Sequence, residues 1–202
     1  MTRSDPAIVL STHGSDYTAG LIDVGGNFSE SEYFLSRNGG EELQRKIGIY
    51  IDGDNIFHCL RGKRMDLAEF LKWLVGDREL CHAKYFLSVK PEQKPIRFEY
   101  VLDKLGYIVK EVPLIKNHQT KNWKSMLDTN LIMEGMQDED KFETFVLVSG
   151  DSDFLPLVRK LEKAGKRIEI VSFQEALHSE YYGFNVRLID DFIKEDNSLL
   201  CE

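Results

Sequence analysis

Residues 145–158 read FVLVSGDSDFLPLV: an apolar run meets Ser149-Gly150, then two aspartates one residue apart, then the first turn of a helix. A short apolar run bounded by turn residues reads as a buried strand, and LPLVRKLEK beyond it has apolar residues at helical spacing. The unit recurs along the chain: KIGIYID then MDLAEFLKWLV, HAKYFLSV then IRFEYVLDKLG, YIVKEV then a polar loop and MLDTNLIMEGM, TFVLVSG then DFLPLVRKLEKAG, and RIEIVSF then QEALHSEYYG. Strands alternating with helices predict an α/β fold, a parallel sheet covered by helices on both faces in three layers. No internal sequence repeat points to a solenoid.

In such a sheet the right-handed crossovers put every strand's C-terminal end on one edge, where ligands bind. The first strand of the series ends in DGDN (Asp52, Gly53, Asp54, Asn55) and the fourth in SGDSD (Ser149, Gly150, Asp151, Ser152, Asp153), while the second and third lead into SVKPEQK and PLIKNHQTKNWK, which carry bases. If the first and fourth strands are neighbours, four aspartates converge. Asp128, at the head of a helix opening toward the same edge, joins them. Each acid has a local explanation: Asp151 or Ser152 as a helix cap, Asp54 and Asn55 in an Asx turn, Asp128 favouring its helix dipole. As a constellation they point to a cation, because clustered carboxylates repel one another, and Mg2+ or Mn2+, hard ions that take oxygen ligands, compensate.

The formal net charge of −8 over 202 residues argues against a chain that coats nucleic acid non-specifically, but the charge is unevenly placed. Residues 46–127 carry 15 Lys/Arg against 10 Asp/Glu, and residues 128–202 carry 8 against 17. A basic half beside an acidic half is compatible with metal binding next to a phosphate-contacting surface. Cys59, Cys81 and Cys201, widely spaced and odd in number, fit neither a disulfide framework nor a zinc site and read as reduced thiols. No apolar stretch approaches the roughly 18 residues of a membrane span or resembles a signal peptide, so the expectation is a cytoplasmic protein with no membrane partner. Residues 1–45, rich in Gly, Ser, Thr, Asn and acid, read as a poorly ordered N-terminal extension ahead of one domain at 46–193, with 194–202 as a C-terminal tail.

YIDGDNIF, WKSMLDTNLIMEGM and FVLVSGDSDFLPLVRKLEKAGKRIEIV, followed by FNVRLIDDFI, resemble the NYN domain, the LabA-like branch of the PIN-like nuclease superfamily. The resemblance spans roughly residues 46–193. It implies a Rossmann-like sheet of order 3-2-1-4-5 and a metal-dependent ribonuclease that cuts single-stranded RNA internally, leaving a 5′-phosphate and a 3′-hydroxyl. It implies Asp52, Asp128, Asp151 and Asp153 as catalytic ligands of Mg2+ or Mn2+, with Asn55 as the polar residue near the first of them. Asp54 falls between the family's first acid and its Asn, where the residue varies, and is a second-tier candidate, with Ser149 and Ser152 as further supporting residues. Lys124 matches the lysine of the family's K-x-x-x-D motif. Many relatives carry an acid two residues after that motif's aspartate, where this chain has Asn130. Lys116, Lys121 and Lys124, with Lys90, Lys94 and Arg97, are candidates for the strand's phosphates, and Trp123 or His118 for base stacking. A homodimer, and a protein partner reached through the N-terminal extension, are the open assembly options.

Two rival readings stand beside this one. YIDGDNIF also resembles the D-x-D motif of haloacid-dehalogenase phosphatases, with Asp52 as nucleophile, Asp54 as acid/base and Ser88 after the second strand. That motif is not followed here by Thr or Val, and Asp128 would have no role. The other rival is a non-catalytic NYN domain that binds RNA or a protein partner and regulates.

Overall fold

The computed structural model describes residues 8–13, 16–21, 46–61, 65–91, 97–116, 119 and 122–198. Within the N-terminal segment, β1 (Ile8–His13) and β2 (Asp16–Leu21) pair as an antiparallel hairpin; the rest of the predicted extension lies outside the described residues. The apolar runs then become strands: β3 (Lys46–Asp52), β4 (Glu79–Val89) and β5 (Ile108–Pro113), with α1 (Gly53–Leu60), α2 (Leu67–Val75) and α3 (Arg97–Lys104) between them. A two-residue-per-strand hairpin, β6 (Ile115–Lys116) and β7 (Trp123–Lys124), leads into α4 (Leu127–Gln137). The chain continues through β8 (Thr144–Val148), a 3-10 turn (Ser152–Phe154), α5 (Leu155–Lys163), β9 (Arg167–Ser172), a second 3-10 turn (Ser179–Gly183), β10 (Asn185–Leu188) and α6 (Ile189–Ser198).

All six strands of the main sheet are parallel, in the order β10-β9-β8-β3-β4-β5. The five predicted strands hold the expected order, and β10 extends the sheet by one at the β9 edge. Alternation along each strand splits the core into two layers. Ile47, Ile49, Ile51, Val146 and Val148 pack toward Phe70, Leu74, Phe98, Leu102 and Phe192 on one face. Tyr50, Phe145 and Leu147 meet Leu127, Leu131, Leu157, Val158 and Leu161 of α4 and α5 on the other. Among the described residues, no helix is long and apolar enough to cross a membrane.

Two local expectations change. QEALHSEYYG is not a helix but a turn at 174–176 and the 3-10 segment Ser179–Gly183. It is also tied across the fourth strand's exit: the His178 N–H donates to the Gly150 carbonyl at 3.1 Å and the Tyr181 hydroxyl to the Asp151 carbonyl at 2.5 Å. Conversely, DGDN, whose Asp54 and Asn55 could have formed an Asx turn, is helical from Gly53 onward. It opens α1, because Asp52 caps the helix by accepting from the Asn55 N–H, and Ile56 and Leu60 bury its inner face. Gly53 permits this tight start, since a Cβ there would strike the Tyr85 ring and the Phe86 carbonyl.

A candidate carboxylate site at the sheet edge

Pairing of β3 with β8 runs to Ile51 opposite Val148, so the next residues, Asp52 and Ser149, leave the sheet side by side. The Ser149 hydroxyl donates to Asp52 Oδ2 at 3.1 Å and the Asn55 N–H to Oδ1 at 3.0 Å, fixing both carboxylate oxygens. Ser149 is fully buried and Asp52 only 5% exposed. The Asp151 N–H donates to Ser149 Oγ at 3.2 Å, and Asp151 in turn caps the 3-10 turn by accepting from the Asp153 N–H at 3.0 Å. Asp151 and Ser152 are half-buried and Asp153 is exposed. The segment 172–181 packs so closely over this loop that a Cβ on Gly150 would collide with the Ala176 carbonyl and Ser172 Oγ.

On the β4 side, the Ser88 N–H donates to Asp54 Oδ1 at 3.3 Å, and the Ser88 and Ser125 hydroxyls share a 2.6 Å hydrogen bond. Ser125 Oγ also accepts from the Leu127 N–H at 3.0 Å, satisfying one free donor at the head of α4. This link between the end of β4 and the start of α4 sets Asp128, in that helix's first turn, toward the same edge. A serine two residues before the first helical position was the available sequence signal for it. Asn130 is exposed, and its amide donates to the Met126 carbonyl at 2.9 Å.

The acids sense one another. Burial pushes Asp52 up to about 7; hydrogen bonds from Asn55 and Ser149 oppose the shift, and Asp54 and Asp128 add to it. Asp128 is raised by burial and then by Asp151, Asp153 and Asp54. These are carboxylates disfavoured as anions by low dielectric and by their neighbours' charge. Yet among the described residues no three His, Cys, Asp or Glu side chains are grouped closely enough to hold a metal ion. The donor set suits a hard cation in chemistry, being all oxygen. Asn55 Oδ1 is buried without a hydrogen-bond partner, an acceptor whose desolvation nothing in the protein offsets.

Of the predicted bases, Lys90, Lys116 and Lys124 are exposed, the last two on the β6–β7 hairpin beside this edge. Lys94, His118 and Lys121 lie outside the described residues, and of Arg97 only the backbone is described. A second polar cluster, which sequence reasoning missed, sits under the far end of α4. Lys84 of β4 bonds both Glu134 and Asp138, Lys110 reaches Glu134 at 2.8 Å, and Lys141 reaches Asp138 at 2.8 Å. The Tyr50 hydroxyl donates to Asp138 at 2.8 Å, so His82 Nε2, 2.9 Å from the same hydroxyl, must carry its own proton and donate to it. Although burial opposes it, the bonds from Lys141, Lys84 and Tyr50 hold Asp138 well below the usual carboxylate range. Only the i, i+4 spacing of Glu134 and Asp138 hinted that two acids share one face.

Comparison with known proteins bears on the family and the fold. The model of the NYN domain matches residues 46–193. The low amplitude and bright protein LabA of Synechococcus elongatus is 26% identical over 154 residues, covering 72% of this chain and 83% of that protein. A Vibrio parahaemolyticus protein of unknown function, known from a crystal structure, superposes with a TM-score of 0.66 at 21% identity, over 76% of this chain and 98% of the other. That likeness speaks to the fold alone.

Proposed function

The chain belongs to the NYN domain family, within the PIN-like nuclease superfamily, and from that premise we propose that it is a metal-dependent endoribonuclease acting on single-stranded RNA. The observation that carries the reading is the junction of β3 and β8, where Asp52 and Ser149 emerge hydrogen-bonded and Asp52 shares one electrostatic environment with Asp54 and Asp128. Asp52, Asp128, Asp151 and Asp153, with Asn55 Oδ1, would hold Mg2+ or Mn2+, which supplies positive charge against the phosphate and acidifies a bound water.

The chain's own contribution is placement. Ser149 and the Asn55 N–H hold the Asp52 carboxylate in one orientation, and Tyr181 holds the backbone of Asp151. Asp54 accepts from the Ser88 N–H and so ties the start of α1 to the end of β4. Lys124 would carry a cation toward the RNA backbone, with Ser152 as a supporting hydroxyl between Asp151 and Asp153. In the hydrolysis, water adds to phosphorus and the bond to the 3′-oxygen breaks, leaving a 5′-phosphate and a 3′-hydroxyl.

Incubation of the protein with single-stranded RNA and Mn2+, beside an Asp151→Asn variant, tests this. Cleavage by the wild type and at least a hundredfold slower cleavage by the variant is the expected result, the order of loss seen when one transition-state charge partner is removed. Equal cleavage by both would sink the metal-site reading. Binding without cleavage by either would make the domain a regulatory RNA-binding module, and release of inorganic phosphate from small esters would favour the phosphatase.

A further inference from the structure

The β6–β7 hairpin is a feature that hydrolysis at the carboxylate edge does not require. Trp123 stands on it with 40% of its surface exposed, although an indole of this size is ordinarily packed. The chain's other tryptophan, Trp73, behaves that way: it stacks on Phe70, touches Phe192 and lies under the Arg187 guanidinium at 3.7 Å. Register decides what shares a face with Trp123. Lys116 is paired opposite it and Ile115 opposite Lys124, so Lys116 and Trp123 project from one face, Ile115 and Lys124 from the other. Consistent with this, Lys116 Nζ sits 5.5 Å from the centre of the Trp123 ring. Among the described residues Lys116 forms no ion pair, whereas Lys84, Lys110 and Lys141 all have carboxylate partners. The arm is anchored next to the acids: Ser125 follows Trp123 by two residues and bonds Ser88, and Asp128 lies three residues beyond it.

We propose that the Trp123/Lys116 face of this hairpin is a nucleobase-stacking arm, which takes one unpaired base on the indole and that nucleotide's phosphate on the ammonium. The inference rests on the RNA reading above and deepens it. A base can lie on an aromatic face only if its own face is free, so a duplex, whose bases are stacked on each other, cannot be held this way. The arm therefore selects for single strands beside the carboxylate edge, and Lys124, on the opposite face, is not part of the stack.

Titration of the full chain with a short oligoribonucleotide, read by tryptophan emission and by anisotropy of a labelled copy, tests the arm without cleavage. It is run in EDTA and again with Mn2+ in the Asp151→Asn background. Quenching on binding is expected in at least one condition, absent with a blunt duplex of the same sequence and absent in Trp123→Phe, which keeps most of the affinity. Trp123→Ala is expected to weaken binding about tenfold. Lys116→Gln is expected to lower the slope of log affinity against log salt by about 0.7. Since Trp123 is exposed, wild-type melting of these variants serves as the control for folding. Binding without quenching in both conditions, or undiminished binding by Trp123→Ala, overturns the arm. If such a protein still cuts RNA with Mn2+, the nuclease reading survives; a wild type that neither binds nor cuts RNA overturns both.

Discussion

Asp52→Asn is expected to make the protein more stable at neutral and alkaline pH in the absence of divalent cations. The Asp52 carboxyl titrates at about 7 in the folded protein, because burial and the neighbouring Asp54 and Asp128 outweigh the bonds from Asn55 and Ser149, against 3.8 in an unperturbed chain. A folded-state value above the unfolded one means that the native state holds the extra proton between the two. The associated stability is therefore complete below about pH 4, declines as pH rises, and is gone above about pH 7. A shift of about 3 units corresponds to about 4 kcal/mol. Asparagine keeps the shape and cannot ionise, and Ser149 Oγ can accept from its amide, so the variant is free of that loss. Urea unfolding at half-unit steps from pH 4.5 to 8.5 in EDTA should show the variant gaining on the wild type by about 1.4 kcal/mol per pH unit up to pH 7, then levelling off. Any constant offset from the amide leaves the slope untouched. Adding Mn2+ at pH 8 should close the gap, because a cation that binds the ionised site stabilises only the wild type. A difference between the two proteins that is flat with pH would refute this account of Asp52.

Lys84→Met removes the cation gripped by Glu134 and Asp138, leaving Lys110 and Lys141 as their remaining lysine partners, and should cost about 3 kcal/mol in urea unfolding. A cost below about 1 kcal/mol would mean that the cluster does not pin α4 to the sheet. Tyr181→Phe deletes the hydroxyl bonded to the Asp151 carbonyl; about 1 kcal/mol of stability and a measurable fall in the single-turnover cleavage rate should go together, and an unchanged melt and rate would deny that hydroxyl any hold on the acid loop. Gly150→Ala drives a methyl into the Ala176 carbonyl, so a loss of about 1–3 kcal/mol is expected by thermal melt, and a variant as stable as the wild type would contradict the close packing of the 172–181 segment on the acid loop.

The sheet was legible because parallel strands buried on both faces announce themselves as continuous apolar runs, and KIGIYID, HAKYFLSV and TFVLVSG became β3, β4 and β8. What escaped were elements fixed by tertiary contact. NVRL has one polar residue and one cation in four and becomes β10 because Asn185 to Leu188 pair with Glu169 to Ser172, with Arg187 bonded to Glu169 at 2.8 Å. QEALHSEYYG has helix-forming residues, but the Gly150 and Asp151 carbonyls claim His178 N–H and the Tyr181 hydroxyl. Sequence spacing identified the acids without revealing their partners. Nothing around Ser149 says that its hydroxyl reaches Asp52, a bond between residues 97 positions apart. Lys84 illustrates the same limit: a lysine inside an apolar strand looks like an interruption until Glu134 of α4 and Asp138, the residue that follows the helix, are seen to close on it.

Asn130 and Glu134 sharpen what α4 contributes. Residues two apart on an α-helix point about 200° from each other, so Asp128 and position 130 cannot address one point through helical geometry alone. Asn130 in fact looks outward and bonds the helix's own backbone, while Glu134 is committed to Lys84 and Lys110. One end of α4 thus meets the carboxylate edge through Asp128, and the other is clamped to β4 and β5 by ion pairs. The clamp matters for the edge because α4 has no side-chain cap at Met126; its N-terminal placement depends on the Ser125–Ser88 link and on the grip at the far end. A helix held at both ends keeps Asp128 near Asp151, Asp153 and Asp54, whose charges act on it. Carboxylates from the end of β3, from α1 and from α4 are thereby kept within one another's electrostatic reach.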